Sequence, residues 1–371
     1  MEKLWFILHL IMERGAFLDS VDGFVIINRK TLQQSIGWES AQTAMGTLEE
    51  AGFIESDHSW QADRKSLGWR LTAWAVSLPR DVQFTTEPFW HAFFDGEQTK
   101  LRNALVANPA HEIIYESLDQ LSLHPASKMV LPEFDGDGAT FRRKRFAWER
   151  SVQKIADHQW WFKWDHKTGR VFNNITSLPK VLRPYACLCG DPCVEIDVAN
   201  SQPFLLASLY PAASAEKTRY VEIVCGGSFY ETVGAAAGID WQQGSKGRAW
   251  LKEQVFTQVL FGRPLHYLPL WKGFCRIFPE LGALILAEKM DDHAKLALRL
   301  QRAEASIMLG GAVPELEEVF PSLPMLTIHD SLLVPMGYAS VAEEVIRRHF
   351  TAAIGSEPTL RRTPPALQLL G

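Results

Sequence analysis

Two acidic residues have the surroundings that metal-assisted phosphoryl chemistry requires. Asp197 lies in the apolar run Val194–Pro203, and Asp330 lies in a second apolar run, Met325–Pro335. Both runs have the composition of β-strands, and carboxylate oxygens are ligands that Mg²⁺ prefers. Two such acids can share divalent cations. Because a single acid on an apolar strand is more often a cap or an ion-pair partner, the interpretation depends on the residues between the two runs.

The segment between the acids contains two cations and an aromatic ring at helical spacing. Arg248, Lys252 and Phe256 are four residues apart and share one face of a helix. A nucleoside triphosphate needs positive charge for its phosphates and an apolar surface beside its base, and this face offers both. Lys252 can also protonate a pyrophosphate leaving group, which we state as a hypothesis. A solvated basic helix with a core phenylalanine is the alternative that this segment alone leaves open.

The elements that precede this region predict a small N-terminal domain, residues 1–80. A helical periodicity is followed by a strand candidate at 24–27, by two helices separated at Gly37, and by strand-like runs at 53–56 and 68–71. Ser40 is placed to cap the second of the paired helices. Helix, strand, helix, turn, helix and hairpin in this order resemble a winged helix-turn-helix domain.

In such a domain, the second of the paired helices enters a major groove of DNA. The polar side chains of this helix that could contact bases are Gln42, Thr43 and Thr47. In the wing region, the candidate phosphate contacts are Arg64, Lys65 and Arg70. Three acids flank the same helix face and oppose contact with phosphate: Glu39, Glu49 and Glu50. Duplex binding, a protein contact and a purely structural role therefore all stay open.

A segment in the middle of the chain interleaves cations with aromatic rings. The cations are Arg142, Arg143, Lys144, Arg145 and Arg150, and the rings include Phe141, Phe146, Trp148, Trp160, Trp161 and Trp164. This mixture suits a groove that tracks a nucleic-acid backbone and stacks its bases. A charged helix face over an aromatic core is the alternative.

Five motifs occur in a fixed order over residues 168 to 350. They are Thr168-Gly169-Arg170, Asp197 with Ser201-Gln202, Arg248-x3-Lys252-x3-Phe256 with Phe261-Gly262, Gln301-x2-Glu304-Ala305, and His329-Asp330. In this order they resemble the polymerase core of family-A DNA polymerases and of their relatives, the single-subunit phage-type RNA polymerases. Five matches in order are far more specific than any one of them.

The resemblance implies a fold and a domain plan. The fold class is α+β, with a right-hand palm that contains an antiparallel sheet, helical fingers, a reduced thumb and the N-terminal winged helix. Residues 81–160 would form a helical connector or the reduced thumb. Residues 161–371 would form the palm and fingers.

The resemblance also implies roles for individual residues. Asp197 and Asp330 would hold two Mg²⁺ ions, with the Val198 carbonyl completing the coordination and Mn²⁺ as an alternative ion. The implied nucleotide-binding residues are Arg248, Lys252, Phe256, Phe261, Phe204 and Gln202. The implied primer-template contacts are Arg170, Gln301 and His329, with the cluster Arg142, Arg143, Lys144 and Arg145.

Several departures from the family pattern concern the choice of sugar. Ser331 follows the His-Asp pair where the DNA polymerases carry an acid, as in the phage-type RNA polymerases. Phe204 lies in the region where the DNA polymerases place a glutamate that excludes the ribose 2′-hydroxyl. Phe261-Gly262 replaces the usual Tyr-Gly and comes one residue late. Phe204 or Phe261 would exclude a ribose sterically, or would belong to the core.

The composition sets limits on the whole chain. With 371 residues and 47% hydrophobic content, it is expected to be a soluble globular protein of two or three domains. A net charge of −5 gives no overall basic footprint, so contact with nucleic acid has to come from local patches. Five cysteines without a disulfide pattern indicate a reducing cytoplasm. No apolar run reaches the roughly 18 residues that a membrane helix needs.

Together these expectations describe a compact, magnesium-dependent nucleotidyltransferase, a template-directed polymerase for replication or priming of a plasmid, phage or other mobile element. Its expected partners are template and primer DNA, with RNA as an alternative, nucleoside triphosphates and a replication partner protein. Two alternatives stay open. One is a primase or single-subunit RNA polymerase that uses ribonucleotides, and the other is a catalytically inactive, DNA-binding replication initiator.

Overall fold

A computed structural model of the chain describes residues 2–17, 24–27, 29–58, 67–72, 75, 87–130, 138–212, 214–242 and 247–366. Its contacts divide the chain into two units. Unit 1 comprises Met1–Ala104, Lys128–Gln159 and Ser177–Pro179, and unit 2 comprises Leu105–Ser127, Trp160–Thr176 and Lys180–Gly371. The three-part division expected from the sequence, with boundaries near 80 and 160, stays a prediction.

The described helices are α1 (Glu2–Phe17), α2 (Arg29–Ile36), α3 (Trp38–Glu50), α4 (Glu87–Val106), α5 (Pro109–Leu118), α6 (Gly138–Ala156), α7 (Asn174–Ser177), α8 (Ser201–Leu206), α9 (Ala215–Cys225), α10 (Phe229–Ala236), α11 (Arg248–Val255), α12 (Pro269–Ile277), α13 (Pro279–Glu288), α14 (Ala294–Ile307), α15 (Val313–Val319) and α16 (Ala339–Ile354). The described strands are β1 (Val25–Ile26), β2 (Ile54–Ser56), β3 (Gly68–Leu71), β4 (Leu121–Leu123), β5 (Phe162–Trp164), β6 (Val171–Asn173), β7 (Ala186–Leu188), β8 (Asp191–Val198), β9 (Leu326–Ile328), β10 (Ser331–Pro335) and β11 (Leu360–Thr363). No helix in the described part of the chain is long and apolar enough to cross a membrane.

Unit 1 contains a small antiparallel sheet and the first three helices. The sheet has the order β1-β3-β2, and Val25 pairs with Trp69 across its first two strands. α1 packs against α3, with Ile7, Ile11 and Leu48 buried in their common core. The helices, strands and hairpin predicted for residues 1–71 are confirmed in their predicted order. The winged-helix interpretation and its binding to DNA stay predictions.

The start of α3 differs from the predicted start. Gly37 separates α2 from α3 with a φ of 77°, a left-handed conformation that glycine adopts without a Cβ penalty. α3 begins directly after it, at Trp38. Ser40 therefore lies inside the first turn, and its predicted role as the N-cap is wrong. Its hydroxyl instead accepts a hydrogen bond from Lys3 Nζ at 2.9 Å.

Unit 2 is organised around a six-stranded sheet in which every described pair is antiparallel. The order is β4-β7-β8-β10-β9, and β11 also pairs with β8. Over residues 195–197, β8 has β10 on one edge and β11 on the other. The predicted α+β class with an antiparallel sheet is confirmed, whereas its division into palm, fingers and thumb stays a proposal.

The two faces of β8 differ in burial. Ile196 and Val198 are buried, whereas Glu195 and Asp197 are partly exposed. Since successive side chains of a strand point to opposite faces, Glu195 and Asp197 share the more open face. α16 packs on the sheet at β8 and β10. A strand with one buried face and one open face is well suited to present acids to a ligand.

Candidate active site

Asp197 and Asp330 lie at the ends of neighbouring strands. Ser331 pairs directly with Asp197 across β8 and β10, and Asp330 immediately precedes Ser331. The Val198 amide donates to the Asp330 carbonyl at 3.3 Å, which closes the same corner of the sheet. Directly opposed residues have Cβ atoms about 4.5–5.5 Å apart, so a residue one step further along is still a near neighbour. The fold thus brings together the two acids that the sequence singled out.

A left-handed backbone residue lies within three residues of each acid. Asn200, three residues after Asp197, has a φ of 56°, and His329, directly before Asp330, has a φ of 58°. This conformation is uncommon outside glycine, although Asn and His adopt it more readily than most residues. His329 and Asp330 form the turn between β9 and β10, where a positive φ matches a two-residue hairpin loop. Such backbone strain clusters at functional sites, and here it lies next to both acids.

The negative charge of Asp330 is unfavourable in the folded chain. Burial, followed by the charges of Glu304 and Asp197, raises the pKa of Asp330 to about 8, although Arg170 opposes the shift. Burial and the charge of Glu195 likewise raise the pKa of Asp197. A divalent cation held by both carboxylates would relieve this repulsion, because a bound ion is the largest local charge in such a site.

Three cations surround Asp197 without forming an ion pair with it. In order of effect they are Lys252, Arg361 and Lys180, and each opposes the rise in the pKa of Asp197. Lys252 and Arg361 are both exposed. Positive charge therefore lies close to the carboxylate, but no described contact neutralises it directly.

The donors at this corner fit a magnesium ion. Asp197 and Asp330 are both partly exposed, and neither carboxylate forms an ion pair with a described residue. Mg²⁺ is usually bound by one or two carboxylates together with substrate phosphates and waters. Within the described ranges, no three side chains of Asp, Glu, His or Cys are arranged to hold a metal ion. The predicted ligand Val198 contributes only its main chain, which lies at the same corner.

The predicted basic face lies on α11, and its two cations are close to one tyrosine. The Arg248 guanidinium lies 5.4 Å from the centroid of the Tyr230 ring, and Lys252 Nζ lies 5.9 Å from the same centroid. Lys252 Nζ is also 5.7 Å from the Phe256 ring. Arg248 forms an ion pair with Glu231 at 2.5 Å. Tyr230 and Glu231, both on α10, received no role from the sequence because nothing in their local pattern distinguishes them from core and surface residues.

A π-helical turn explains the late position of Phe261. α11 continues into a π-helix over Phe256–Phe261. A π-helix has more residues per turn than an α-helix and often occurs at functional sites. The extra residue between Phe256 and Phe261 is therefore accommodated within the turn, and the two ring centroids lie 5.0 Å apart. Two of the three aromatic rings in the predicted nucleotide-binding set, Phe256 and Phe261, therefore lie side by side.

A buried lysine supports the end of this π-helix. Lys289 is 4% exposed, and its Nζ donates to the carbonyls of Val259 and Gly262, each at 2.8 Å. Helix ends leave carbonyl groups without helical partners, and this side chain satisfies two of them. Burial lowers the pKa of Lys289 to about 8.

The lowered pKa of Lys289 predicts a pH dependence of stability. The unfolded chain holds this proton up to a pKa near 10.5, whereas the folded chain releases it near 8. Between these values the unfolded state binds more protons, so the stability contributed by this group rises with pH. We expect the unfolding free energy of the native chain, minus that of Lys289→Met, to increase by on the order of 2 kcal/mol from pH 7 to pH 10. Urea denaturation at both pH values measures this difference, and a difference that falls with pH would contradict the assignment.

A buried carboxylate connects three of the predicted or neighbouring site residues. Glu304 is 1% exposed and accepts hydrogen bonds from Arg170 Nε at 2.9 Å, from Gln202 Nε2 at 2.5 Å and from Ser201 Oγ at 3.2 Å. Burial raises the pKa of Glu304, although Arg170 and these hydrogen bonds oppose the shift. Glu304 belonged to one of the five motifs but had no predicted role. Its hydrogen bonds now link α14 to α8, which follows Asp197.

The loop that carries Arg170 is held on α14 at two further points. Arg302 Nε donates to the Lys167 carbonyl at 2.6 Å. Gly169 has a φ of 75°, and a Cβ at this position would lie 3.3 Å from Ala305 Cβ. Glycine therefore allows both the left-handed backbone and the close approach. The hairpin of β5 and β6 presents Arg170 from a fixed position.

Three other predicted residues have different surroundings. His329 is partly buried, its ring centroid lies 5.2 Å from that of Phe172, and burial together with the charges of Arg170 and Arg183 lowers its pKa to about 4. Gln301 lies three residues before Glu304 on α14 and is partly exposed. Phe204 is 1% exposed and lies against Phe350, which is the contact of a core residue. Its role at the sugar, like the other assigned roles, stays a prediction.

The residues predicted to contact nucleic acid from unit 1 are only partly described. Gln42, Thr43 and Thr47 are exposed on α3. Arg70 pairs with Glu55 at 2.7 Å, whereas Arg64 and Lys65 lie outside the described residues.

The basic-aromatic segment falls into different units. Arg142, Arg143, Lys144 and Arg145 lie on α6 in unit 1, where Arg145 pairs with Glu149 at 2.8 Å and the side chains of Arg142 and Arg143 are outside the described set. Trp164 belongs to unit 2, and its ring centroid lies 5.9 Å from that of His111 on α5. That contact favours the alternative of an aromatic core for this part of the segment.

Comparison with known proteins finds similarity to solved structures but none to protein-family models or to the sequences of curated proteins. No protein-family model matches the chain, and no curated protein matches it in sequence. Among solved structures, it is similar to the POL domain of Pol1 from M. smegmatis, determined in complex with DNA primer-template and dNTP, with a TM-score of 0.44 and 12% sequence identity. The match covers 73% of this chain and 66% of that chain, so the chain spans slightly less than two thirds of the length of the matched structure.

Proposed function

We propose that the chain is a magnesium-dependent nucleotidyltransferase that extends a nucleic-acid strand on a template. The observation that carries this proposal is the position of Asp197 and Asp330 at one corner of the central sheet of unit 2, where Ser331 pairs with Asp197. Two carboxylates brought together on neighbouring strands, with unneutralised cations around them, are the donor set that phosphoryl transfer with divalent metals requires.

The metal would be held by Asp197 and Asp330, with the Val198 carbonyl beside them. When bound, magnesium supplies neutralisation of the charge that develops on the reacting phosphate oxygens. The raised pKa values of both acids support this assignment, since a site built for an ion pair with a lysine or arginine would already contain the partner. Manganese offers similar ligand preferences and is the alternative ion.

The nucleotide would lie along the basic face of α11. Lys252 and Arg248 provide positive charge for the triphosphate, and Phe256 with Phe261 provides an apolar surface for the base. The exposure of Lys252 and its effect on the pKa of Asp197 support a role for this side chain in binding a phosphate and in donating a proton to the leaving pyrophosphate. Arg248 would exchange its pairing with Glu231 for a phosphate when the substrate binds.

The template and primer would be contacted through Arg170, in the loop between β5 and β6. Arg170 is fixed by Glu304 through Nε and Nη2, which leaves its other N–H groups for a nucleic-acid acceptor. Gln301 and His329 would complete this contact. Unit 1 would supply the choice of nucleic-acid site through Gln42, Thr43 and Thr47.

Nucleotide incorporation by the purified full chain tests the proposal. The assay supplies a primed template and an unprimed template, each with deoxyribonucleotides or ribonucleotides, in the presence of Mg²⁺ or Mn²⁺. We expect metal-dependent extension that copies the template sequence. Ribonucleotide synthesis on the unprimed template would identify a primase. No incorporation under any of these conditions, together with DNA binding that needs no metal, would instead support the inactive replication initiator.

A further inference from the structure

A third element of unit 2 places an arginine beside the acids. Arg361 on β11 pairs directly with Asp197 on β8, and Ser331 on β10 pairs with Asp197 from the other edge. Directly paired residues in a sheet share a face. Arg361, Asp197 and Ser331 therefore form a row across three strands on the face that presents the acids.

The neighbouring residue shows which way this face points. Arg362 forms an ion pair with Glu343 of α16 at 2.5 Å and donates to Ser340 Oγ at 3.2 Å. Arg362 thus faces the helix that packs on the sheet, and by the alternation of a strand Arg361 faces away from that helix. Arg361 is exposed, and its side chain forms no hydrogen bond or ion pair with any other described residue. Of these two adjacent arginines, Arg362 is held in an ion pair with Glu343, whereas the side chain of Arg361 is exposed and can bind a ligand.

Arg361 lies close to two parts of the proposed nucleotide site, Asp197 on β8 and Tyr230 on α10. Arg361 pairs directly with Asp197 across the sheet. Burial raises the pKa of the Tyr230 hydroxyl, and the charges of Arg248 and Arg361 oppose this rise. Arg248 and Lys252 lie over the ring of the same tyrosine. That hydroxyl is buried and has no hydrogen-bond partner among the described residues. Positive charge from α11 and from β11 thus converges on one region. Arg248 is paired with Glu231, whereas neither Lys252 nor Arg361 forms an ion pair with a described residue.

We propose that Arg361 binds the phosphate groups of the incoming nucleotide, opposite Lys252, and so forms a phosphate subsite on the last strand of the sheet. This inference rests on the proposed function. A guanidinium suits the position because it stays charged at all relevant pH values and can bind a phosphate through two parallel N–H bonds. Side chains from both α11 and β11 would hold the nucleotide phosphates more rigidly than α11 alone. A rigidly held α-phosphate is better aligned for attack by the primer hydroxyl.

The test compares Arg361→Gln with the matched control Arg362→Gln in the full chain. For Arg361→Gln we expect the KM for the incorporated nucleotide to rise about tenfold or more, since a charge-assisted hydrogen bond is lost. The KM for primer-template should change less than about twofold because that contact lies elsewhere. Arg361→Lys, which keeps the charge, should lie between the native chain and Arg361→Gln. Arg362→Gln should keep the native KM for nucleotide.

A binding measurement separates this inference from the proposed function. Calorimetric titration of magnesium pyrophosphate into each protein requires no turnover, and Arg361→Gln should bind it about tenfold more weakly than Arg362→Gln. If the native chain incorporates no nucleotide but this difference is present, the subsite stands and the polymerase proposal fails. If the chain is an active polymerase and Arg361→Gln matches the control in both KM and pyrophosphate affinity, the subsite is overturned. A variant that binds primer-template less well but nucleotide normally also overturns it. Thermal unfolding of each variant shows whether it folds. If Arg361→Gln does not fold, the nucleotide KM and pyrophosphate affinity of Arg361→Lys are compared with those of the native chain, and unchanged values would overturn the subsite.

Discussion

Asp197→Asn and Asp330→Asn are each expected to reduce nucleotide incorporation by about a thousandfold or more, because each removes one of the two carboxylates proposed to hold magnesium. Asparagine keeps the size of the side chain and one acceptor oxygen but removes the charge that binds the ion. Initial rates of primer extension at saturating nucleotide measure the loss. The two variants should be similarly impaired, since residues that act on the same ions act as one unit.

The control for this prediction lies on the same strand. Asp191→Asn removes an exposed acid at the start of β8, six residues before Asp197 in the sequence, and should leave the rate unchanged. Equal activity of the native chain, Asp197→Asn and Asp330→Asn would show that the pair does not catalyse the reaction. A loss in Asp191→Asn as large as in the other two would show that the effect comes from the strand and not from the site.

The same acids are expected to cost stability when no metal is present. The pKa of Asp330 is near 8 in the folded chain and near 3.8 when unfolded, so the folded state binds more protons between these values. The protonated Asp330 therefore contributes its full share of the unfolding free energy below the unfolded pKa. That contribution decreases as the pH rises and is lost above about pH 8. At pH 8.5 with a chelator, Asp330→Asn should unfold at a higher denaturant concentration than the native chain. Greater stability combined with lost activity is the pattern of a functional site and not of a structural acid.

The second large effect concerns the buried carboxylate of Glu304. Glu304→Ala should lower the free energy of unfolding by about 3–5 kcal/mol, because Arg170, Gln202 and Ser201 lose their acceptor and the half-buried charge of Arg170 is left unpaired. Glu304→Gln keeps the shape and one acceptor and should lose less. Denaturant-induced unfolding measures both changes.

An exposed ion pair in the same unit provides the comparison. Glu288 pairs with Arg299 at 3.1 Å, with side chains 27% and 47% exposed. Because exposed ion pairs contribute only about 0–1 kcal/mol, Glu288→Ala should change stability far less than Glu304→Ala. Similar losses in the two variants would mean that the hydrogen bonds of Glu304 do not hold α14, α8 and the loop of Arg170 together.

Much of the candidate site was predictable because its signals are local. Asp197 and Asp330 stand out as acids in apolar strand-like runs, and Arg248, Lys252 and Phe256 stand out by helical spacing. The order of helices and strands over residues 1–71 follows from hydrophobic periodicity and Gly37. The sequence correctly predicted the antiparallel α+β class, whereas the roles of these residues remain to be tested by experiment.

The residues that were missed depend on contacts between distant parts of the chain. Arg361 gains its position from the pairing of β11 with β8, and no local pattern near residue 361 indicates that register. Glu304 gains its importance from Arg170 and Gln202, which lie on other elements. The late position of Phe261 looked like a departure from the family spacing, since π-helical turns have no simple sequence signal. The predicted N-cap role of Ser40 was wrong because α3 begins at Trp38, directly after the left-handed Gly37, and not after Ser40.

A crystal structure of the full chain with Mn²⁺ and a non-hydrolysable nucleotide would test most directly whether Asp197 and Asp330 hold a divalent metal, since the anomalous scattering of manganese locates the ion. We expect manganese between the carboxylates of Asp197 and Asp330, with the phosphates of the nucleotide between Lys252 and Arg361. Manganese bound elsewhere, or a nucleotide bound away from both acids while this corner of the sheet stays free of metal, would contradict this expectation.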